Sequence, residues 1–411
     1  MTRRVAITGI GGLCPVGNTM PRAWDALVNG RSGIGTITLF DPSPYSIRIA
    51  GEVKDFSIAG IVDAKQARHM DRYTQFAVVA ALEALSDSGL TIDEANADRV
   101  GIIVGTAAGG VQTILDAQKT LETRGPDRVN PFFLPNFLCD AATGHIAIIT
   151  GASGPNMAVV AACATGGHAI GEGMHAIKRG DADAMIAGGT DTVVMPITLA
   201  GFINMKGLAA DNEHPERASR PFDRDRTGFV ISEAAVFLIL EELEHARRRG
   251  AAVYAEVVGY GSTDDAFHMF AQSEDGSGAA RAMQRALRSA CLNPEDIDYI
   301  NAHGTGTPLN DRVETLAIKR VFGDHAYRLA VSSTKSMTGH MMGASGALEG
   351  AVCALVIKHG IIPPTINLDT PDPECDLDYV PHVAREQRVR TALSNSIGLG
   401  GHNSTIILQA V

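Results

Sequence analysis

The chain has 411 residues, 45% of them hydrophobic, so it is long enough for two or three domain-sized units with a large buried core. Its 35 Lys and Arg residues face 46 Asp and Glu residues, which gives a net charge of −11 with neutral histidine. This balance argues against a general nucleic-acid binder, because such a protein needs a positive surface for the phosphate backbone.

Cysteine spacing and hydropathy narrow the class further. Six cysteines are scattered without a CxxC pair, which argues against a disulfide framework and favours a reducing, cytoplasmic compartment. Two arginines precede the apolar N-terminal run, but glycines break that run, so it indicates a buried strand and not a signal peptide. The longest stretch without Asp, Glu, Lys or Arg, residues 141–171, is interrupted too often to span a membrane.

Short apolar runs alternate along the chain with segments of helical periodicity. The runs predict strands at 5–9, 100–105, 157–162, 184–188, 236–241, 255–261, 299–302, 330–333 and 404–409. The periodic segments predict helices at 70–88, 165–179, 278–289, 311–322 and 346–359. This alternation predicts an α/β fold whose sheets are mainly parallel and covered by helices on both faces.

The two halves of the chain echo one another. The first half runs from the strand VAITGIG through the turn AACATGGHAIGEG into a helix. The second half runs from AEVVGYG through KSMTGHMMGASGALEG into another helix. The echo predicts a duplication, with one half over residues 1–250 and the other over residues 251–411.

Cys163 lies where a buried apolar strand breaks into a turn of small residues and then a helix. The N–H groups and dipole of a helix N-terminus stabilise a thiolate, which favours a nucleophilic role. The alternative is a small core residue, because most free cysteines are buried and inert. Position alone leaves both interpretations open.

Two histidines strengthen the nucleophilic interpretation. His303 follows a predicted strand in YINAHGTGTPLND, and His340 follows another, five residues after Lys335, in SSTKSMTGHMMGASGALEG. Loops at strand ends often line active sites, so one cysteine with two such histidines makes a nucleophile with two polar partners. A lone histidine in such a loop is more often structural, and a zinc site on these three residues matches no common ligand spacing.

Six longer motifs are spread along the chain from near its first residue to near its last. They are TGIGGLCPVGN, ASRPFDRDRTGFVISEAA, NAHGTGTPLND, VSSTKSMTGHMMGASGALE, PPTINLD and SNSIGLGGHN. In this order they resemble the β-ketoacyl-acyl-carrier-protein synthases, most closely the type II elongating condensing enzymes of bacterial fatty acid synthesis. The resemblance implies a duplicated thiolase fold of five layers, αβαβα, and a homodimer.

The resemblance also implies catalytic roles. Cys163 would take an acyl group from a carrier protein as a thioester. His303 and His340, as neutral imidazoles, would hydrogen-bond the thioester carbonyl of malonyl-carrier protein and stabilise the enolate that forms as carbon dioxide leaves. The backbone N–H groups of Cys163 and Leu399 would hold the oxyanion. No metal or cofactor is implied, because phosphopantetheine arrives on the acyl carrier protein.

Further residues match supporting positions. Lys335 is expected to order the site beside Glu349 as a charge and not as a base. Thr305 and Thr307 match positions that bind the phosphopantetheine arm, with simple turn hydroxyls as the alternative. A cationic patch for the acidic carrier protein, with solvated surface charge as its alternative, would consist of Lys65, Arg68, Arg128 and Lys206.

The sequence departs from the family pattern at several positions. Leu399 stands where the family usually has a gating phenylalanine, which puts ordered loading of the two substrates in doubt. Ala108 stands where a larger aliphatic residue often limits the acyl pocket, so longer or branched acyl chains are expected to fit. Ala164 follows the nucleophile where a hydroxyl residue is more common. Phe133 and Phe202 are expected to line the pocket, with plain core as the alternative.

The leading hypothesis is therefore an elongating condensing enzyme of fatty acid synthesis. A ketosynthase of a polyketide or aryl-polyene pathway is the alternative. A non-catalytic chain-length partner subunit is disfavoured, because such subunits generally lack the nucleophile. A degradative thiolase needs a second cysteine near the C-terminus, and IGLGGHN has none.

Overall fold

The computed structural model describes residues 3–411. The strands are β1 (Val5–Leu13), β2 (Ile34–Thr36), β3 (Ile49–Gly51), β4 (Val100–Gly105), β5 (Asn156–Val159), β6 (Ala184–Thr192), β7 (Glu233–Glu242), β8 (Ala255–Asp264), β9 (Tyr299–Asn301), β10 (Ala330–Ser332), β11 (Ile361–Ile362), β12 (Arg385–Glu386), β13 (Thr391–Ile397) and β14 (His402–Gln409). The helices are α1 (Met20–Val28), α2 (Ala64–Ala67), α3 (Arg72–Ser88), α4 (Val111–Arg124), α5 (Phe133–Phe137), α6 (Ala141–Thr150), α7 (Thr165–Arg179), α8 (Pro196–Asn204), α9 (Pro215–Ala218), α10 (Leu243–Arg248), α11 (Ser277–Ala290), α12 (Pro308–Phe322), α13 (Lys335–Thr338) and α14 (Ser345–His359). Within residues 3–411, no helix is long and apolar enough to cross a bilayer.

Ten strands form one continuous sheet in the order β10-β9-β13-β14-β8-β1-β7-β6-β4-β5. Counted from each outer edge inward, each half contains three parallel strands followed by two antiparallel ones. The halves join where Ala6 and Ile7 of β1 pair with Glu256 and Ala255 of β8. The division of the chain between residues 250 and 251 stays a prediction.

The expectation of mainly parallel sheets is wrong. Five of the nine neighbouring pairs in the large sheet are antiparallel. The physical reason is connectivity: β13 and β14 are joined by four residues, 398–401, and a connection so short returns the chain beside itself in the opposite direction.

Helices cover the sheet in layers. The middle layer is formed by α7 and α14, which contact each other and strands of both halves. On the outer faces, α3 packs on β1, β6 and β7, and α11 packs on β8 and β14. The two halves of the large sheet therefore lie on either side of the middle helices, and the order helix, half-sheet, helix, half-sheet, helix confirms the predicted five-layer α/β fold.

The two middle helices approach at a distance that only glycine allows. A Cβ atom added to Gly166 would lie 2.5 Å from the backbone nitrogen of Ala347. A Cβ atom added to Gly346 would lie 2.7 Å from the backbone nitrogen of Gly167. Because these contacts lie in the first turn of each helix, the N-termini of α7 and α14 meet at one point between the sheets.

The middle helices also begin in the same way. Ala162 and Met342 both adopt the left-handed region with φ of 47°, and each is the first residue of a single 3-10 turn that leads into the helix. Cys163 and Gly343 therefore occupy equivalent positions in the two halves. The predicted strand over 157–162 ends at Val159, because the chain turns here to enter α7.

Candidate active site

A pocket of about 250 Å³ opens where the two middle helices begin. Seven residues singled out in the sequence line it: Cys163, Phe202, His303, Thr305, Thr307, His340 and Leu399. They come from separate parts of the chain. The fold unites them because the turns before α7 and α14 pack against each other and the turn after β13 packs against the one before α7.

Cys163 is presented by a tight turn before α7. Thr165 holds that turn, because its Oγ1 donates a hydrogen bond to the Ala162 carbonyl over 2.6 Å. The same oxygen accepts a hydrogen bond from the backbone N–H of Ala161 over 2.9 Å. These two bonds stabilise the left-handed conformation of Ala162, which a residue with a side chain adopts only at an energetic cost.

The electrostatics of Cys163 differ from the sequence-based expectation. Burial raises the pKa of its thiol to about 11, although the N–H of Leu399 and the charge of Lys335 act in the opposite direction. Desolvation therefore outweighs the stabilisation expected from the helix N-terminus. At neutral pH Cys163 is therefore mainly the neutral thiol.

The two histidines face each other in the pocket. Their ring centroids lie 5.3 Å apart, with an angle of 84° between the ring planes. Burial, reinforced by the ammonium group of Lys335, lowers the pKa of both imidazoles well below the ordinary value. Both rings are therefore neutral near pH 7, and each carries one N–H donor.

His340 is fixed through its ring and its backbone. Its Nδ1 lies 3.0 Å from Oγ of Ser345, and its backbone N–H donates to the Val230 carbonyl over 2.7 Å. Its carbonyl accepts a hydrogen bond from the N–H of Ser232 over 3.0 Å. Because Nδ1 contacts Ser345, Nε2 is the atom left for a substrate.

His303 is fixed through the backbone. Its N–H and that of Gly304 donate to the two carboxylate oxygens of Glu314, each over 2.8 Å. Its carbonyl accepts a hydrogen bond from Nζ of Lys335 over 2.6 Å. Lys335 also forms an ion pair with Glu349, and both of these side chains are fully buried. Lys335 therefore contacts the backbone of His303 and balances Glu349.

The turn Leu399–Gly401 closes one wall of the pocket. The backbone N–H of Leu399 hydrogen-bonds to the Cys163 thiol. A Cβ atom added to Gly398 would lie 3.1 Å from the backbone nitrogen of Cys163, so a side chain here would push this turn and the cysteine apart by a few tenths of an ångström. The leucine side chain lines the pocket at the expected gate position.

Thr305 and Thr307 line the pocket, and Thr307 also holds a turn. Their hydroxyl oxygens lie 3.1 Å apart, and both residues line the pocket. Thr307 also caps α12, because its Oγ1 accepts a hydrogen bond from the N–H of Asn310 over 3.2 Å. A turn role for Thr307 therefore coexists with its place in the pocket.

Two family descriptions match the chain. The description "Beta-ketoacyl synthase, N-terminal domain" matches residues 2–246, and "Beta-ketoacyl synthase, C-terminal domain" matches residues 254–369. The chain belongs to the β-ketoacyl synthase family. The family predicted from the motifs is thereby confirmed.

Relatives support the assignment over the whole length of this β-ketoacyl synthase. The 3-oxoacyl-[acyl-carrier-protein] synthase 2 of Synechocystis sp. is 50% identical over 407 residues, which are 99% of this chain and 98% of the relative. Among solved structures, the ishigamide ketosynthase/chain length factor superimposes with a TM-score of 0.94 at 37% identity, covering 100% of both chains. A type II PKS acyl-carrier protein in complex with its ketosynthase gives a TM-score of 0.91 at 34% identity, again covering 100% of both chains.

The predicted acyl-pocket residues of the synthase occupy different places. Phe202 lines the pocket, in edge-to-face contact with Phe229 at 5.4 Å. Ala108 packs in the apolar cluster that contains Cys163, but it does not belong to the lining of the pocket. Phe133 lies in a separate surface groove of the same chain. The assignment of Phe133 and Ala108 to an acyl pocket stays a prediction.

The predicted carrier patch is exposed at two places. Arg68 and Arg128 line the same surface groove as Phe133. Lys65 is exposed on α2, three residues before Arg68. Lys206 is exposed between Met205 and Gly207, which line the pocket. The role of these four cations in carrier binding stays a prediction.

Three buried residues of the synthase site escaped the sequence analysis: Glu314, Ser345 and Asp191. Asp191 accepts hydrogen bonds from the backbone N–H groups of Ala107, Ala108 and Gly343. Burial raises its pKa to about 6, against the lowering effect of these bonds. In the sequence these residues are marked only by residue type, such as the glutamate Glu314 within NDRVET. Residue type alone does not show which backbone groups the side chain contacts.

Proposed function

We propose that this synthase condenses an acyl group held on Cys163 with malonyl-acyl carrier protein. The reaction releases carbon dioxide and gives a β-ketoacyl-acyl carrier protein that is two carbons longer, in cytoplasmic fatty acid elongation. The observation that carries the proposal is the shared pocket of Cys163 and two neutral imidazoles, His303 and His340.

The first step is acyl transfer. The sulfur of Cys163 attacks the thioester carbonyl of the acyl-carrier protein, and the carrier thiol leaves with the proton that the cysteine gives up. Because the resting thiol is protonated, this proton moves during the attack. The backbone N–H groups of Cys163 and Leu399 stabilise the oxyanion, each by about 3 kcal/mol.

The second step makes the carbanion. The thioester carbonyl of malonyl-carrier protein accepts N–H donors from His303 and His340, which stabilise the enolate as the carbon–carboxylate bond breaks. Neutral rings suit this role, because each donates a hydrogen bond without transferring a proton. Because Oγ of Ser345 already accepts the backbone N–H of Met341, its own proton is free to point to Nδ1 of His340, and that arrangement places the His340 N–H on Nε2.

The third step joins the chains. The enolate carbon attacks the acyl carbonyl on Cys163, a carbon–carbon bond forms and the carbon–sulfur bond breaks. The released thiolate takes up a proton and returns to the resting thiol. Lys335 and Glu349 act as positioning residues, because Lys335 holds the His303 carbonyl and the pair neutralises its own buried charge.

The carrier protein and the quaternary structure complete the proposal. Thr305 and Thr307 hydrogen-bond the phosphopantetheine arm, and the four exposed cations attract the acidic carrier protein. The synthase forms a homodimer through β5, which ends the large sheet and exposes apolar side chains, Met157 among them. An exposed apolar edge strand is otherwise prone to aggregate, so a partner strand is expected to cover it.

Intact-mass spectrometry tests the proposal. The protein is incubated with acyl-carrier proteins of several chain lengths, and malonyl-carrier protein is then added. We expect an acyl adduct on Cys163 that disappears as a β-ketoacyl product forms. The Cys163→Ala variant, which removes the nucleophile, serves as control and should take up no acyl group. Wild-type protein that forms no adduct with any primer would contradict the proposed acyl transfer.

A polyketide role is the second candidate, because two similar solved structures are the ishigamide ketosynthase/chain length factor and a type II PKS ketosynthase bound to the hexaketide. The same assay separates the two. A single extension of saturated primers, with no further extension before reduction, supports fatty acid elongation. Repeated extension of an unreduced β-keto chain supports the polyketide role.

A further inference from the structure

Two side-chain amides lie against each other at the pocket, away from the proposed catalytic residues. Gln272 belongs to the segment between β8 and α11, and Asn310 lies in the first turn of α12. Both residues line the pocket. The Nε2 of Gln272 donates a hydrogen bond to Oδ1 of Asn310 over 2.7 Å.

A carboxylate fixes the orientation of this amide pair. The Nδ2 of Asn310 donates to Oδ1 of Asp311 over 3.1 Å. Asp311 is fully buried, accepts two backbone N–H groups and lies 3.6 Å from the guanidinium of Arg226. Because a carboxylate in this setting accepts hydrogen bonds, Asn310 turns its NH2 group toward Asp311 and its carbonyl toward Gln272.

Gln272 is thereby left with an unused acceptor. Its Nε2 is directed at Asn310, and its Oε1 is buried without a hydrogen-bond donor from any described residue. A buried amide carbonyl without a donor is unfavourable, and such groups in proteins usually have a partner. An incoming ligand with an N–H group would supply the missing donor.

The segment that carries Gln272 is anchored on both sides. The backbone N–H of Gly400 donates to the Met269 carbonyl over 3.0 Å. The N–H of Ser273 donates to Oδ2 of Asp265 over 3.0 Å. These bonds hold the backbone on either side of Gln272, which reduces the ordering that ligand binding would require of this segment.

The same pocket also contains hydrogen-bond donors. Thr305 and Thr307 present two hydroxyls, which donate hydrogen bonds to carbonyl oxygens. The phosphopantetheine arm contains two amides, and each offers both a carbonyl and an N–H. Hydroxyl donors satisfy the carbonyls, whereas the N–H groups need an acceptor such as Oε1 of Gln272.

We propose that Oε1 of Gln272 accepts a hydrogen bond from an amide N–H of the phosphopantetheine arm. Asn310 acts as a positioning residue, because it fixes which end of the Gln272 amide faces the ligand. The inference rests on the proposed function, since the arm enters this pocket only if the carrier protein is the substrate.

Three substrates and two variants test this inference. One malonyl-carrier protein carries the natural arm, and others carry arms in which one amide N–H or the other is replaced by oxygen. The test variant is Gln272→Met, which keeps the side-chain length and removes the acceptor. The matched control is Ser273→Ala, which alters the same segment at a side chain that bonds to Asp275. The KM and kcat of condensation and the Kd of each carrier protein are measured.

The inference predicts that Gln272→Met raises KM and Kd for the natural arm about three- to tenfold, with kcat little changed. With one of the two modified arms, the wild type should show a similar rise in KM and Kd, and Gln272→Met should raise them no further. Equal effects of Gln272→Met on all arms, or no effect on any, would overturn the inference while condensation stands. Arm-dependent binding without any condensation by wild type would instead support the inference and contradict the proposed reaction.

Discussion

At the scale of single residues, the start of α7 was expected both to present the Cys163 thiol and to stabilise its thiolate form. The structure supports only the first of these roles. The turn that begins α7 exposes the thiol to the pocket, but burial keeps it protonated. Reactivity therefore depends on the arriving thioester and on the N–H group of Leu399. A permanently charged sulfur would be costly in this apolar setting, and the neutral thiol avoids that cost.

Ala108 provides a prediction on chain length. The Ala108→Ile variant adds bulk within the apolar cluster that contains Cys163. We expect activity on long acyl primers to fall first, while short primers remain substrates, because the added side chain occupies space near the acyl group. Competition between primers of different length, followed by mass spectrometry, measures this. An unchanged chain-length preference would contradict the idea that small size at this position enlarges the pocket.

His168 provides a prediction on pH. Burial lowers its pKa to about 4, and its Nδ1 lies 2.6 Å from the Tyr260 hydroxyl. The unfolded chain takes up this proton near pH 6.5, whereas the folded protein takes it up near pH 4, so His168 reduces stability as pH falls between those values. Between pH 7.5 and 5.5 its contribution to the free energy of unfolding should fall by about 1 kcal/mol.

Urea unfolding of wild type and His168→Gln at both pH values isolates this contribution. The variant removes the titrating ring, so the difference in unfolding free energy between the two proteins should shift by that amount. Acidic groups with raised pKa, such as Asp191, have the opposite pH dependence, but they are common to both proteins. A difference that does not change with pH would show that His168 titrates normally in the folded protein.

Single residues also show how much of the site could be predicted from the sequence. Cys163, His303 and His340 stand in motifs with an unusual residue type at a strand end, and the structure brings them to one pocket. Ser345 contacts His340, five residues earlier, and Glu314 contacts His303, eleven residues earlier, but the residue types alone do not show that these side chains turn back onto the preceding loop. Predicting them requires the fold first.

At the scale of elements, continuous apolar or helical patterns were predicted best. The bounds of β4 and α7 match the prediction, because both carry an uninterrupted pattern of buried small or apolar residues. The prediction missed β13, because its sequence TALSNSI alternates apolar residues with Thr, Ser and Asn. All of its residues are buried, and its polar groups find partners inside the protein, for example Asn395 with Thr405.

The crossing of α7 and α14 gives a prediction for an element contact. Gly166→Ala places a methyl group 2.5 Å from the backbone nitrogen of Ala347, so the helices must separate. We expect a loss of about 2 kcal/mol in unfolding free energy together with reduced condensation, because both pocket turns shift. Thermal unfolding and the condensation assay measure the two effects.

The matched control is Gly144→Ala in α6. The Cβ atom it adds meets no atom of residues 3–411 within 4 Å. This variant should gain up to about 1 kcal/mol, because alanine favours a helix more than glycine does. Equal behaviour of Gly166→Ala and Gly144→Ala would show that the middle helices tolerate separation.

At the scale of the whole molecule, the two halves share one plan but carry different chemistry. The turn before α7 carries Cys163, and the equivalent turn before α14 has Gly343 at that position. His303 and His340 both come from the second half. The sheet order that brings the halves together follows from long-range pairing, which a local pattern does not encode; the family resemblance predicted the five layers but not this order.

The exposed edge of the sheet leads to a prediction on assembly. Light scattering of the wild type should give twice the chain mass at micromolar concentration. The Val160→Lys variant places a charge just after β5, on a side chain that is 56% exposed in the single chain, and should shift the protein toward monomer. Val383→Lys changes a valine that is 74% exposed in the second half and should leave the mass unchanged. A wild-type monomer, or equal behaviour of both variants, would contradict the proposed interface.

The position of β1 has a consequence for biosynthesis. This strand is made first, yet its partners are β7 and β8, the latter ending at Asp264. At roughly 5–20 residues per second, the ribosome needs on the order of 10–50 s to deliver both partners. During that interval nine buried, mostly apolar residues, Val5–Leu13, have no native neighbour in the sheet. The nascent chain therefore exposes this apolar segment until residue 264 has been made, and loss of the strand would remove the centre of the sheet and not its edge.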